Sequence, residues 1–158
     1  MDVRVKFLGG AQSVTGSKYL LEVDDYKLLI DCGLFQGLKE LRLRNWEELP
    51  IDCTKIDAVV LTHTHIDHIG YLPKLFKSGF NGPVHCTIPT ADLAEILLLD
   101  SAKLQEEEAL FANKKGYSKH SPAEPLYHVR DTEIVFSKLE EHPIDKRFSL
   151  TENIDIRF

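Results

Sequence analysis

Hydrophobic and charged residues alternate at the start of this chain, over residues 3–7. A period of two is typical of a half-buried β-strand, so the pattern predicts a strand there. Two further extended segments cover residues 19–23 and 26–30 and are separated only by Asp24 and Asp25. Acidic turn residues between two such segments predict a β-hairpin.

A continuous apolar run over residues 56–61, broken only by Asp57, predicts a buried central strand. Shorter strand candidates lie at residues 84–87 and 154–158. Because strands come first and then alternate with helical segments, the order of elements predicts the α/β fold class.

Helical spacing of apolar residues marks the remaining segments. The longest helix is predicted to begin after Thr90, as its N-cap, and to reach as far as Leu110. Shorter helices are predicted over residues 36–46, from near His68, and over residues 131–139.

The composition is that of a single globular domain, with 158 residues, 43% hydrophobic and 28% charged. No apolar stretch approaches the roughly 20 residues needed to span a bilayer. The N-terminus lacks the basic start and apolar core of a signal peptide. Cys32, Cys53 and Cys86 include no Cys-x-x-Cys spacing and are predicted to be small buried residues. Together these features predict a cytoplasmic protein in a reducing compartment.

The formal net charge is −6 at pH 7. This charge argues against a protein that binds nucleic acid through a broad basic surface alone. It does not exclude a polyanionic substrate, because a metal centre can reverse the sign of the local field.

The segment at residues 62–68, Thr-His-Thr-His-Ile-Asp-His, directly follows the predicted central strand. Residues two apart in an extended segment point the same way, so His63 and His65 can share one metal. After a turn, Asp67 and His68 then face a position beside it. Imidazole and carboxylate groups are suitable zinc ligands, and two zinc ions about 3.5–4 Å apart can activate a bridging water. The competing interpretation is a histidine cluster with no ligand role.

Asp31 ends the second strand of the predicted hairpin. It is a candidate to support the site by accepting a hydrogen bond from a metal-binding histidine. The alternative, equally weighted on these residues alone, is an ordinary turn aspartate. Asp67 and His68 are the candidates for catalytic roles. The remaining histidines are predicted to be structural or solvated, namely His85, His120, His128 and His142. Lys39, Arg42 and Arg44 could contact phosphates, but a surface helix without a ligand is favoured.

These motifs resemble a known family. Residues 61–70 look like the signature motif of the metallo-β-lactamase superfamily, and residues 29–33, Leu-Ile-Asp-Cys-Gly, resemble its first motif. Residues 9–17, 31–37 and 69–75 together resemble the β-CASP branch, which contains RNA-processing nucleases such as that of the cleavage and polyadenylation machinery.

The resemblance implies an αββα sandwich with a two-zinc site at one sheet edge. His63 and His65 would bind the first zinc, Asp67 and His68 the second, and Asp31 would support the site. The implied activity is that of a hydrolase, a ribonuclease that cleaves single-stranded RNA with a metal-bound hydroxide, as an exonuclease or endonuclease in RNA processing or decay.

The resemblance also implies that further ligands follow Phe158, so that residues 1–158 correspond to the N-terminal portion of a metallo-β-lactamase-like domain. We therefore expect the isolated chain to bind zinc weakly, to have little or no nuclease activity and to self-associate through exposed strand edges. Two alternatives stay open. One is a hydrolase of a thioester or phosphodiester metabolite. The other is an inactive fragment or non-catalytic assembly module.

Overall fold

The structure, a computed structural model, describes residues 1–118 and 122–158. In those ranges the strands are β1 Val3–Gly9, β2 Lys18–Val23, β3 Tyr26–Ile30, β4 Ala58–Val60, β5 Val84–Thr87, β6 Leu139–His142, β7 Arg147–Thr151 and β8 Ile154–Arg157. The α-helices are α1 Lys39–Leu43, α2 Ile66–Ile69, α3 Leu72–Lys77, α4 Ile88–Lys115 and α5 Val129–Phe136. His120, which the sequence predicts to be solvated, lies outside the described residues.

Six strands in the described part of the chain form one sheet, in the order β1-β2-β3-β4-β5-β6. The pairs β1–β2 and β2–β3 are antiparallel, and β3 to β6 are parallel. The predicted hairpin is confirmed, because Val23 pairs with Tyr26 across the acidic turn. The predicted central strand is also confirmed, although it is shorter, and its residues are all buried. β7 and β8 form a separate antiparallel pair.

The two faces of the six-stranded sheet are covered by different partners. Alternate residues of a strand point to opposite faces, so Leu28 and Leu29 belong to different clusters. Leu29 shares the larger cluster with residues of α2 to α5. Leu28 shares the smaller cluster with Val60 of β4 and Ile154 of β8. Helices therefore pack on one face and the β7–β8 hairpin on the other.

The start of α4 corrects one prediction. The helix begins at Ile88, and the side chain of Thr87 accepts a hydrogen bond from the backbone N–H of Thr90 at 3.3 Å. Thr87 is therefore the N-cap, and the prediction of Thr90 was wrong by about one turn. Pro89 is tolerated because the first helical turn leaves backbone N–H groups without a helical partner. At the other end, α4 passes the predicted limit and ends at Lys115, and Gly116 follows as the C-cap with φ +69°.

Three other helix predictions were wrong in extent. The segment 36–46 contains only the short α1, followed by a 3-10 turn at Arg44–Trp46. The helix expected from near His68 is divided into α2 and α3. The helix expected over residues 131–139 ends at Phe136, and β6 begins at Leu139. The strands β6 and β7 were not predicted.

The cysteine prediction is confirmed, because Cys32, Cys53 and Cys86 are buried and free. Burial raises the pKa of Cys32 and of Cys86 to about 12, so both remain uncharged thiols near neutral pH.

Residues 1–118 and 122–158 contain no helix that combines the length and apolar character needed to cross a membrane. The longest helix, α4, has 28 residues and carries charged side chains along its length.

Candidate metal centre

The candidate site lies where two neighbouring strands end. β3 and β4 are parallel, so their C-terminal ends meet at the same edge of the sheet. Asp31 directly follows β3, and its backbone N–H donates to the carbonyl of Val60, the last residue of β4, at 2.9 Å. The histidine-rich segment leaves β4 two residues later. The parallel register therefore brings residues from distant parts of the sequence to one place.

The carboxylate of Asp31 is the centre of a hydrogen-bond network. It accepts from the backbone N–H of Thr62 at 2.8 Å and from the Thr62 hydroxyl at 2.7 Å. Nδ1 of His68 lies 2.8 Å from the same carboxylate. Asp31 is only 2% exposed, so these partners replace the water that it loses on burial.

This network fixes which ring nitrogens are free to bind a metal. When Nδ1–H of His68 donates to Asp31, its Nε2 keeps an available lone pair. The Thr62 hydroxyl donates to Asp31, so its oxygen can accept from Nδ1–H of His63, which lies 2.9 Å away. His63 then also presents Nε2. One buried carboxylate thus orients His68 directly and His63 through Thr62.

The side chains of the predicted ligands are not all equally close to one another. Donor atoms of Asp31, His63 and His68 lie within 4.8 Å of one another. The ring centroids of His63 and His68 are 3.9 Å apart, and those of His63 and His65 are 4.8 Å apart. An oxygen of Asp67 lies 3.4 Å from Nε2 of His68. His65 and Asp67 therefore lie beside the tight group rather than in it.

The electrostatics of His63 suit a metal ligand. Burial is the main cause that lowers the pKa of His63 below its usual value, and the neighbouring His68 adds to the effect. The carboxylates of Asp31 and Asp67 oppose it without reversing it. His63 is thus biased towards the neutral imidazole, which is the form that binds metals.

The segment that carries the candidate ligands, which includes α2, is held by backbone hydrogen bonds. The carbonyl of Asp67 accepts from the N–H of Ser17 at 2.9 Å, and that of His68 accepts from the N–H of Cys32 at 2.7 Å. Gly33 makes this approach possible, because a Cβ atom at that position would overlap the Asp67 carbonyl. At Gly70 a Cβ atom would lie 2.6 Å from the carbonyl oxygen of Ile66. Both glycines therefore allow close backbone packing beside the site.

The donor set fits a zinc ion. Imidazole nitrogens and a carboxylate oxygen are among the ligands that zinc prefers, and zinc-binding histidines commonly donate their second N–H to a carboxylate. Here the Asp31 oxygens are engaged by Thr62 and His68. Asp31 is therefore better placed to orient ligands than to bind the metal itself.

A groove of about 920 Å³ adjoins Ile66, at the start of α2. Its lining includes Arg42 and Trp46 as well as Asp100 and Glu108 of α4. Because these charges have opposite signs, the groove walls alone do not form a basic channel. Attraction for a phosphate would have to come largely from a bound metal.

The comparison with known sequences identifies the family. The sequence model described as "Metallo-beta-lactamase superfamily" matches residues 14–146, which is most of the chain. The chain belongs to the metallo-β-lactamase superfamily. The expected metallo-β-lactamase-like α/β fold is thereby confirmed.

Curated members of the superfamily extend the comparison. The chain is 46% identical over 105 residues to "Ribonuclease TTHA0252" of Thermus thermophilus, covering 66% of this chain and 24% of that protein. It is 41% identical over 130 residues to "Transcription termination factor FttA" of Methanosarcina mazei, covering 80% of this chain and 20% of that protein. The resemblance to the β-CASP branch is confirmed by such relatives.

The chain thus spans a quarter or less of the length of these metallo-β-lactamase relatives. Among solved structures, the subclass B3 metallo-beta-lactamase MEM-A1 from a soil metagenome library aligns with a TM-score of 0.48 and 14% identity. That alignment covers 94% of this chain and 46% of the other.

Sequence reasoning missed Thr62. A threonine beside a histidine resembles an ordinary turn residue, and its role depends on the arrival of Asp31 from another strand. The available signal was the position of its hydroxyl group, between the end of the predicted strand and His63, the first histidine of the motif.

Proposed function

We propose that this chain is the zinc-binding N-terminal portion of a ribonuclease that hydrolyses RNA phosphodiesters in RNA processing or decay. The observation that carries the proposal is the orientation of His63 and His68 by the single buried carboxylate of Asp31. The name of the Thermus thermophilus relative supports RNA as the substrate.

The proposed ligands are His63 and His65 for one zinc ion, and Asp67 and His68 for a second. Bound zinc would supply a Lewis acid that polarises a phosphoryl oxygen and lowers the pKa of a coordinated water. Asp31 and Thr62 hold the two imidazoles in the required tautomers. These interactions are formed before substrate arrives, so no free energy of binding is needed to orient the ligands.

Asp67 and His68 are the proposed catalytic residues. The Asp67 oxygen beside Nε2 of His68 belongs to a partly exposed side chain. A carboxylate in this position can accept a proton from an attacking water. His68 is held in place from its other nitrogen by Asp31, so the orientation of its ring does not depend on Asp67.

The proposal includes further metal ligands outside residues 1–158. Val3, Val5 and Phe7 of β1 are 50%, 50% and 65% exposed, respectively. They pair with Val23, Leu21 and Tyr19 and therefore share their face of the sheet. This is the face that the β7–β8 hairpin covers elsewhere. An uncovered apolar face supports additional strands in a longer protein. The chain covers only 24% and 20% of the length of the two relatives, which supports the same view.

Single-stranded RNA is the proposed form of the substrate, because zinc ions at an open sheet edge can reach an unpaired backbone more readily than one within a duplex. The proposed compartment is the cytoplasm, which the buried free thiols support. For the isolated chain we propose weak zinc binding at the candidate metal centre and little or no nuclease activity.

The decisive experiment compares the 158-residue chain with the longer protein that contains it. Each is incubated with zinc and with end-labelled single-stranded and double-stranded RNA. We expect cleavage of the single strand by the longer protein only. Cleavage should stop after chelation of zinc and in the variants His63→Ala and His68→Ala. Labels at both ends distinguish shortening from one end from internal cleavage.

His128→Ala is the matched control, since His128 is a half-exposed histidine that contacts Glu106. It should leave cleavage unchanged. RNA cleavage that survives both chelation and His68→Ala would refute the proposal. Hydrolysis of a thioester or cyclic phosphodiester without RNA cleavage would instead identify a metabolite hydrolase.

A further inference from the structure

A second group of potential metal ligands lies on β5 and β6, away from the residues of the candidate metal centre. These strands are parallel neighbours, with His85 opposite Glu140 and Thr87 opposite His142. Residues two apart in a strand share a face, so His85, Glu140 and His142 all project from the same side of the sheet. The sequence could not suggest this group, because β6 was not predicted.

The distances in this group match those of a metal site. Nδ1 of His85 lies 3.0 Å from Nε2 of His142 and 3.4 Å from a carboxylate oxygen of Glu140. The donor atoms of all three residues lie within 4.8 Å of one another. Two ligands bound about 2.0–2.1 Å from a tetrahedral zinc ion are separated by about 3.3–3.4 Å, so a small adjustment would admit the ion.

The rings are held before any ion binds. His142 stacks on Phe148 of β7, with centroids 3.6 Å apart and an interplanar angle of 7°. The ring centroid of Phe158 lies 6.1 Å from that of His142 and 6.0 Å from that of Phe148. His85 is only 5% exposed. Rigid, partly buried imidazoles lose little conformational freedom on binding an ion.

One side of the group is open to solvent. The Glu140 side chain is 57% exposed, and β6 stands last in the strand order of the described sheet. Water can therefore complete the coordination of an ion that His85, His142 and Glu140 hold from the protein side. Two imidazoles, one carboxylate and a water form a common zinc ligand set.

We propose that His85, Glu140 and His142 bind a zinc ion that joins the end strand β6 to β5. The ion replaces the proton of the hydrogen bond between Nδ1 of His85 and Nε2 of His142. Its expected effect is structural, because it fastens β6 to the sheet while His142 remains packed against the β7–β8 hairpin. The site goes beyond the proposed nuclease function and does not depend on it.

The test uses the 158-residue chain with His63→Ala, His65→Ala and His68→Ala, which removes the imidazoles of the candidate metal centre. Zinc binding is measured by competition with a chromophoric chelator, and thermal unfolding is followed with and without zinc. We expect one zinc ion per chain and a higher unfolding midpoint in its presence, since an ion that binds only the folded state stabilises it.

Further substitutions in that background assign the ligands. His142→Ala should weaken zinc binding by more than about 100-fold, beyond the 10–100-fold typical of residues that only orient a ligand. Glu140→Gln, at an exposed side chain, should weaken binding with little effect on folding. His128→Ala removes a histidine that contacts Glu106, and it should leave zinc binding unchanged.

Two results would overturn the proposal. One is the absence of zinc binding in the chain that lacks His63, His65 and His68 but is otherwise folded. The other is zinc binding that Glu140→Gln and His142→Ala leave intact. If circular dichroism shows that His142→Ala does not fold, Glu140→Gln alone decides between the zinc site and a metal-free hydrogen bond between the two histidines.

Discussion

Asp31 carries two free-energy costs, one from its backbone conformation and one from the burial of its carboxylate. Its φ of +59° places a non-glycine residue in the left-handed region, at a cost of about 1–2 kcal/mol. Its carboxylate is also almost completely buried. The same backbone turn lets the side chain reach Thr62 and His68. Strain of this kind is typical of residues that a functional site requires in one conformation.

In the 158-residue chain that also carries Glu140→Gln, which weakens the proposed second zinc site, Asp31→Asn should weaken zinc binding at the candidate metal centre by about 10–100-fold. The amide can accept hydrogen bonds at only one of its two polar atoms, so the acceptor is lost either by the Thr62 backbone N–H or by both the Thr62 hydroxyl and Nδ1–H of His68. Competition with a chromophoric chelator measures the change. Asp57→Asn is the control, because Asp57 also accepts a backbone N–H, from Lys27 at 2.7 Å, but at the opposite end of β4. Equal zinc affinity with and without Asp31→Asn in the Glu140→Gln background would contradict this role for Asp31.

At the residue scale, the sequence identified the charged and imidazole groups of the candidate site but not the residue that links two of them by hydrogen bonds, Thr62. The spacing over residues 63–68 was sufficient because those residues are consecutive, and the structure places Asp31 beside them. Their roles as zinc ligands stay predictions. Lys18 shows the limit of such reasoning. It is 1% exposed, with its ammonium 4.5 Å from the Phe35 ring centroid and 4.6 Å from that of Tyr71. Nothing adjacent in the sequence indicates those partners.

At the scale of elements, the close approach of the segment after β3 to the segment that contains α2 determines the site. The first segment carries Asp31 and Gly33, and the second carries Asp67 and His68. Reciprocal backbone hydrogen bonds join them, because Cys32 donates to His68 and Tyr71 donates to Cys32. The candidate ligands are therefore positioned by the separation of two backbones rather than by long side chains.

Gly33→Ala should separate these two segments, since its methyl group would overlap the Asp67 carbonyl. We expect the free energy of unfolding to fall by about 2–4 kcal/mol, together with a loss of zinc affinity. Chemical denaturation measures the first effect, and zinc competition in chains that also carry Glu140→Gln measures the second at the candidate metal centre. Gly37→Ala is the matched control. Gly37 has φ +86° and no atom within 4 Å of an added Cβ, so only a conformational cost of about 1–2 kcal/mol is expected. Equal zinc affinity in the two variants would contradict this explanation.

Strands with a clear alternating or continuous apolar pattern were predictable, whereas those defined by their neighbours were not. β6 reads Leu-Glu-Glu-His and has little apolar character of its own. It becomes a strand because β5 offers it a parallel partner. The start of α4 was predicted wrongly for a local reason. Thr87 and Thr90 are both plausible N-caps, and only the geometry shows that the Thr87 oxygen accepts from Thr90.

At the scale of the whole molecule, the uncovered face and free edge of β1 dominate the expected behaviour in solution. β1 stands first in the strand order of the described sheet, and Val3, Val5 and Phe7 are half or more exposed. An edge strand with an apolar face is a template for pairing with another chain. Self-association of the 158-residue chain is therefore expected.

Val5→Lys should weaken this self-association by at least about tenfold, because burying a valine contributes about 1.5–3 kcal/mol and a charge on an edge strand opposes pairing. Sedimentation equilibrium measures the change. Leu43→Lys is the control, since Leu43 of α1 has a similar exposure of 54% but lies outside the sheet. A monomeric unsubstituted chain, at the highest concentration that stays in solution, would contradict the expectation.

The parallel pairing of β3 with β4 also has a consequence for the order of events during synthesis. Asp31 and His68 are 37 residues apart in the chain, whereas His85 and His142 are 57 apart. A ribosome releases the chain from its N-terminus. Every residue that orients His63 and His68 has therefore emerged while β6 is still being translated. The nascent chain can assemble these imidazoles around Asp31 before the far edge of its sheet exists.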